Sequence, residues 1–189
     1  MELIFDFFED HAAAVAVVRQ KRPLALGVLC FILGALSFFT ALGVSGGLGT
    51  LHFGAISLSL YLLWVLGAGF VLVAVLDLIA DMEGTHGSAT ELFVLFGMAE
   101  LAWALALPLA ILCMAAFPKV NGLLTAIFLF IGLFNLGLKA RSLRDVYSMS
   151  SVRSWVTLLM PYAAVILFSI LVLSLAVAGL FIEIMQAIR

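Results

Sequence analysis

One acid stands inside an apolar run. Glu100 interrupts the stretch from Leu92 to Phe117, which is otherwise almost free of polar groups. A charge in hydrocarbon costs about 2.5–3.5 kcal/mol on insertion scales, so such residues face inward and find partners. At about 1.5 Å of rise per residue, Glu100 falls roughly 12 Å from the nearer edge of a ~30 Å apolar core. Asn135 and Tyr162, on two other apolar runs, come out at a similar depth by the same count. Glu100, Asn135 and Tyr162 therefore form a candidate intramembrane polar site. Such a layer either glues helices together or serves as a proton or substrate site. In the first case Glu100 is expected as a neutral acid, donating a hydrogen bond to Asn135 or Tyr162.

A second group lies in a loop. Asp77, Asp81, Glu83 and His86 fall within ten residues, and hard cations such as calcium take oxygen ligands of this kind. A solvated polar loop has the same composition, so these four are a candidate cation site and no more. Elsewhere no catalytic arrangement is visible. His11, His52 and His86 are scattered, without a second His at helical spacing or a neighbouring acid of the zinc type. Ser148, Ser150 and Ser151 have no histidine in their loop, and Ser151 reads as a cap for the following helix. The Gly-rich turn that starts at Gly43 lacks the lysine and preceding strand of a phosphate loop. Cys30 and Cys113 sit in apolar runs and read as packing residues. No enzyme activity, cofactor or resident metal is expected.

The elements that must hold these residues follow from composition. Of 189 residues, 66% are hydrophobic and 11% charged, with a mean hydropathy of +1.30. Soluble domains run near half apolar and a quarter charged. A chain this small cannot hide so much apolar surface from water, so its solvent is lipid. A net charge of −2 offers no basic face to nucleic acid. Five stretches reach the range of about 17–25 residues that spans hydrocarbon, the fourth at its short end: about 23–44, 54–76, 92–117, 122–138 and 155–182. Lipid offers backbone groups no partner, so all five must be helices. The expected fold is one all-α domain, a bundle of five transmembrane helices over residues 1–189.

Residues 1–22 precede the first span. Glu2, Asp6, Glu9 and Asp10 recur at helical spacing, with Leu3, Ile4, Phe5, Phe7 and Phe8 between them. This predicts an amphipathic helix, either in the membrane interface or docked on the bundle. With the N-terminus inside, the cytoplasmic segments hold Arg19, Lys21, Arg22, Lys139, Arg141, Arg144 and Arg153, against Lys119 and Arg189 outside. The asymmetry predicts a cytoplasmic N-terminus and an outer C-terminus. Between the second and third spans, Gly84 and Gly87 should stop one helix. Ser88 with Glu91 reads as a capping box for the next. Small residues at Gly27 and Gly34, and at Ala102, Ala106 and Ala110, predict close helix approach, within the chain or between copies.

The segment Leu76–Leu109, with its acidic helix end, Gly-Ser turn, Thr-Glu-Leu-Phe start and Pro108, resembles the Yip1 domain family of five-span membrane proteins. So does the loop from Leu143 to Trp155 leading to Leu-Met-Pro161. The acidic Phe-Asp-Phe-Phe-Glu-Asp10 resembles its bacterial members. The resemblance implies a non-enzymatic protein of the bacterial cytoplasmic membrane. It would act in membrane organisation or trafficking through lipids and through protein partners at its cytoplasmic loops. The Asp-Leu-Tyr-Gly-Pro motif of eukaryotic members is absent, and with it the basis for expecting Rab-type GTPases as partners. The rival expectation is a small proton- or cation-coupled transporter built on Glu100 and the acidic loop.

Overall fold

The computed structural model describes residues 2–46, 54–117 and 121–187, and among these no residue is in a strand. His52, Lys119, Arg189 and the later part of the Gly-rich turn lie outside the described residues. In chain order the elements are α1 (Glu2–Glu9), α2 (His11–Lys21), α3 (Leu24–Val44), α4 (Ala55–Met82) and α5 (Ala89–Glu100). A 3-10 segment (Leu101–Leu105), α6 (Ala106–Ala116), α7 (Asn121–Tyr147) and α8 (Ser151–Ala187) complete the chain. Among the described residues, five stretches are long and apolar enough to cross a membrane: Leu24–Val44, Ala55–Met82, Ala89–Ala116, Gly122–Tyr147 and Ser151–Val177. The fold is an all-α membrane bundle, as its composition requires.

α4 and α7 run well past the C-terminal ends of their apolar stretches. α4 continues to Met82 instead of ending near Leu76, and α7 to Tyr147 instead of Leu138. Hydropathy marks where hydrocarbon ends, whereas a helix ends where its last carbonyls find other donors. For α4 that point is Gly84, whose φ of 76° suits the left-handed residue of a Schellman cap. The Gly84 N–H donates to Asp81 O (2.9 Å) and the Thr85 N–H to Ala80 O (3.1 Å). Gly87 serves differently: a side chain there would collide with the Tyr147 ring.

The N-terminal segment is two short helices, not the single helix, interfacial or docked on the bundle, expected over residues 1–22. Asp10 is the reason. Its carboxylate accepts from the Ala13 N–H at 3.2 Å and starts α2. Phe7, His11, Ala14, Val15 and Val18 are buried, and α2 packs on α5 and α7.

The core is α3 against the third span. Gly27, Gly34 and Gly97 let the backbones approach closely; a Cβ on Gly34 would overlap the Glu100 carbonyl oxygen, and one on Gly97 the Gly27 carbonyl. Ala102, Ala106 and Ala110 are buried on the side that packs on α3 and α7. Both small-residue stripes are thus used inside the chain. α8 is the outlier. It touches α4 and α7, and every residue from Tyr162 to Val177 is exposed.

Candidate functional site

The third span is broken at its acid. α5 ends at Glu100 and the chain tightens into the 3-10 segment before α6 resumes. Pro108 contributes, because it has no N–H to give the carbonyl four residues back. That carbonyl, on Ala104, instead accepts from the Ser37 hydroxyl of α3 at 2.9 Å, and the same hydroxyl oxygen accepts the Leu107 N–H at 3.2 Å. One serine thereby satisfies two backbone groups that the break releases, which is what a non-helical turn at membrane depth requires.

The break turns Glu100 toward α7. Its Oε1 lies 2.5 Å from Lys139 Nζ, both side chains being nearly buried, and Lys139 also sits 5.7 Å above the Phe96 ring. Asn135, one turn before Lys139, donates from Nδ2 to Ala99 O at 3.0 Å. The acid therefore has a partner, but not one of the two expected. The expected neutral acid bonded to Asn135 or Tyr162 is replaced by an ion pair with Lys139. Lys139 belongs by hydropathy to the loop, yet α7 continues through it and aims it inward.

This pair forms one wall of a cavity of about 320 Å³ between α3, α4, the third span, α7 and α8. Aromatic rings dominate its lining, among them Phe38, Tyr61, Trp64, Trp103 and Tyr162. Tyr162 faces the same space without being the acid's partner. An apolar groove of about 730 Å³ between α4 and α8 adjoins it, lined by Leu60, Leu63 and Val165. Trp64, Ala68, Leu72 and Tyr162 line both spaces.

The candidate cation site does not assemble. The Tyr147 hydroxyl donates to Asp77, while Arg153 holds Glu83 through its carboxylate (2.6 Å) and its carbonyl oxygen (2.9 Å). Asp81 and His86 are exposed. Among the described residues no three His, Cys, Asp or Glu side chains gather closely enough to hold a metal ion. Asp77 and Glu83 each have their own partner, Tyr147 and Arg153, so the four side chains do not converge.

The capping box is also absent. Ser88 occupies the N-cap of α5 but makes no side-chain cap bond. Glu91 is drawn to the basic cluster instead, 3.3 Å from Arg19 Nε and 3.9 Å from Arg22. At the start of α8, Ser150 rather than Ser151 caps, its hydroxyl accepting the Arg153 N–H at 3.4 Å.

A further polar cluster escaped the sequence reading. His11 is fully buried, with Nε2 3.2 Å from Ser142 Oγ and Nδ1 2.8 Å from Asp145 Oδ2. The Ser142 hydroxyl gives its own hydrogen to Leu138 O at 2.9 Å, so Nε2 must be the donor. Nδ1 lies against the carboxylate of Asp145. Burial lowers the His11 pKa from its ordinary value of 6.5, against the pull of Asp145 and with help from Arg141 and Arg144. The order serine, histidine, aspartate is that of a hydrolase triad. Ser142 is nonetheless fully buried, its proton is spent on a carbonyl, and it lines none of the cavities described. The cluster fastens α2 to α7. Asn135, Lys139, Ser142 and Asp145 recur four, three and three residues apart, one face of a helix, and that periodicity was the available signal.

Against models of protein families, curated proteins and solved structures, the chain matches none.

Proposed function

We propose that the chain is a non-enzymatic integral membrane protein of the Yip1 type, serving membrane organisation or trafficking by holding lipid, with protein contacts at its cytoplasmic loops. One observation carries the lipid part: the Glu100–Lys139 pair borders an aromatic cavity that shares a wall with an apolar groove. Ligand pockets are mostly apolar spaces of about 300–1,000 Å³ with a few placed polar groups, and this pair of spaces fits an amphiphile. Arg19, Lys21, Arg22, Arg141, Arg144 and Arg153 gather at the end that holds α1, α2 and the starts of α5 and α8. By the positive-inside rule that end faces the cytoplasm, and the resemblance to bacterial Yip1 proteins supports the cytoplasmic membrane. Native mass spectrometry of the purified chain tests the reading: phospholipid should remain bound and should be lost when Ala68→Trp fills the shared wall. A wild-type chain that keeps no lipid would overturn it.

The broken third span supports a second reading, since an acid at a helix discontinuity also suits proton-coupled transport. Flux in liposomes that disappears in Glu100→Gln would favour transport over lipid holding.

A further inference from the structure

We infer that the cavity selects a zwitterionic phospholipid headgroup, one that carries both a phosphate and an ammonium, over an anionic one. The inference rests on the lipid-holding reading above and names the lipid class.

The physical basis is charge balance at depth. Glu100 and Lys139 are both nearly buried and pair at 2.5 Å, so the cavity wall presents one anion and one cation with no net charge. A buried ion pair is stable only when each charge keeps a partner. A headgroup with an ammonium and a phosphate meets that demand. Its phosphate approaches Lys139 and its ammonium approaches Glu100, so that unlike charges alternate and no net charge is added. An anionic headgroup such as glycerophosphate has a partner for Lys139 only. Its phosphate would then compete with Glu100 for one cation and bring two like charges together in a low dielectric.

The rest of the lining favours the same class. Ring faces attract ammonium groups, and Tyr61, Trp64, Trp103 and Tyr162 surround the space. The adjoining groove, lined by Leu60, Leu63, Val71, Val75 and Val165, matches an acyl chain lying beside its headgroup. Among the described residues no third charged side chain lines either space, so the pair alone sets the electrostatic preference.

The test uses the full chain, purified in detergent and exposed to an equimolar mixture of phosphatidylethanolamine and phosphatidylglycerol, with bound lipid counted by native mass spectrometry. Wild type should retain phosphatidylethanolamine by about tenfold over phosphatidylglycerol, equivalent to about 1.4 kcal/mol. Glu100→Gln leaves a lone cation and should reverse the preference. Glu100→Gln combined with Lys139→Gln strands no charge, so it remains informative if the single variant misfolds. It should keep lipid through the groove but bind the two headgroups equally. Equal retention by wild type, or a double variant that keeps the wild-type ratio, would overturn the inference while leaving lipid holding intact. Loss of all lipid from wild type would instead overturn the lipid-holding reading beneath it.

Discussion

Two polar clusters sit on one face of α7, and they differ in one respect. Lys139 with Glu100 borders open space, whereas His11 and Ser142 are packed solid and only Asp145 of their cluster reaches the surface. By residue type the His11 cluster is the more chemical of the two, since it orders a serine, a histidine and an aspartate as a hydrolase does. By surroundings the Glu100–Lys139 pair is the one that can meet a ligand. Reactive residue types without room around them make a fastening. An ion pair with room beside it makes a site.

The sharpest way to break this contrast is at Lys139. Lys139→Met leaves Glu100 buried and unpaired, which should cost about 3–5 kcal/mol and lower the melting temperature in detergent. Adding Glu100→Gln should restore most of the loss. A single variant as stable as wild type would mean that the pair is solvated and that its wall is not a low-dielectric one.

Gly34 probes the geometry behind the pair. Gly34→Ala places a methyl group against the Glu100 backbone, and overpacking of this kind costs about 1–3 kcal/mol. Because α3 also carries Ser37, the same variant should loosen the break in the third span. Faster hydrogen exchange at residues 100–107 would show it.

The fastening predicts a pH response of definite sign. Burial lowers the His11 pKa below 6.5, so the unfolded chain binds the proton more readily than the folded one. Its contribution to stability is full above pH 6.5 and is lost as the pH falls through that value. Melting temperature should therefore decline as the pH falls below about 6.5. His11→Asn should flatten the decline and cost about 1–3 kcal/mol at neutral pH, through the groups it leaves unpaired. An unchanged slope in that variant would place the titrating group elsewhere.

Ser88→Ala gives the smallest effect. From the Ser-x-x-Glu pattern alone the expected loss is about 0.5–2 kcal/mol. With no side-chain cap bond in place, it should be within about 0.5 kcal/mol. Arg19→Ala, which removes a hydrogen-bonded partner of the buried Glu91, should cost more.

These cases show what the residues alone could convey. Hydropathy delimited five spans, because the cost of unpaired backbone in lipid is a local property of each run. Rise per residue put Glu100 and Asn135 in one layer; in the structure Asn135 bonds the carbonyl of Ala99 and the acid pairs with Lys139 instead. Lys139 was assigned to a loop because its charge ended the apolar run, although the helix does not stop for a charge. The break after Glu100 had only Pro108 to announce it. Leu-Ala-Trp-Ala-Leu is helix-compatible, and Ser37 of another helix makes the distortion tolerable. The His11 cluster joins residues 131 positions apart, which single-element patterns do not connect.

One length has a mechanical consequence. α8 runs 37 residues, roughly 55 Å at 1.5 Å per residue, against a hydrocarbon thickness of about 30 Å. The excess must be taken up by tilt or protrusion. Pro161 removes a hydrogen bond from the helix at the point where its packing ends, so bending concentrates there. Pro161, Tyr162 and Val165 of this lever form one bank of the groove, and Leu60 and Leu63 of α4 form the other. The width between the banks thus follows the tilt of a single, one-sidedly braced rod. In a thin bilayer the rod leans further than in a thick one, so the thickness of the surrounding membrane sets the aperture through which a lipid would pass.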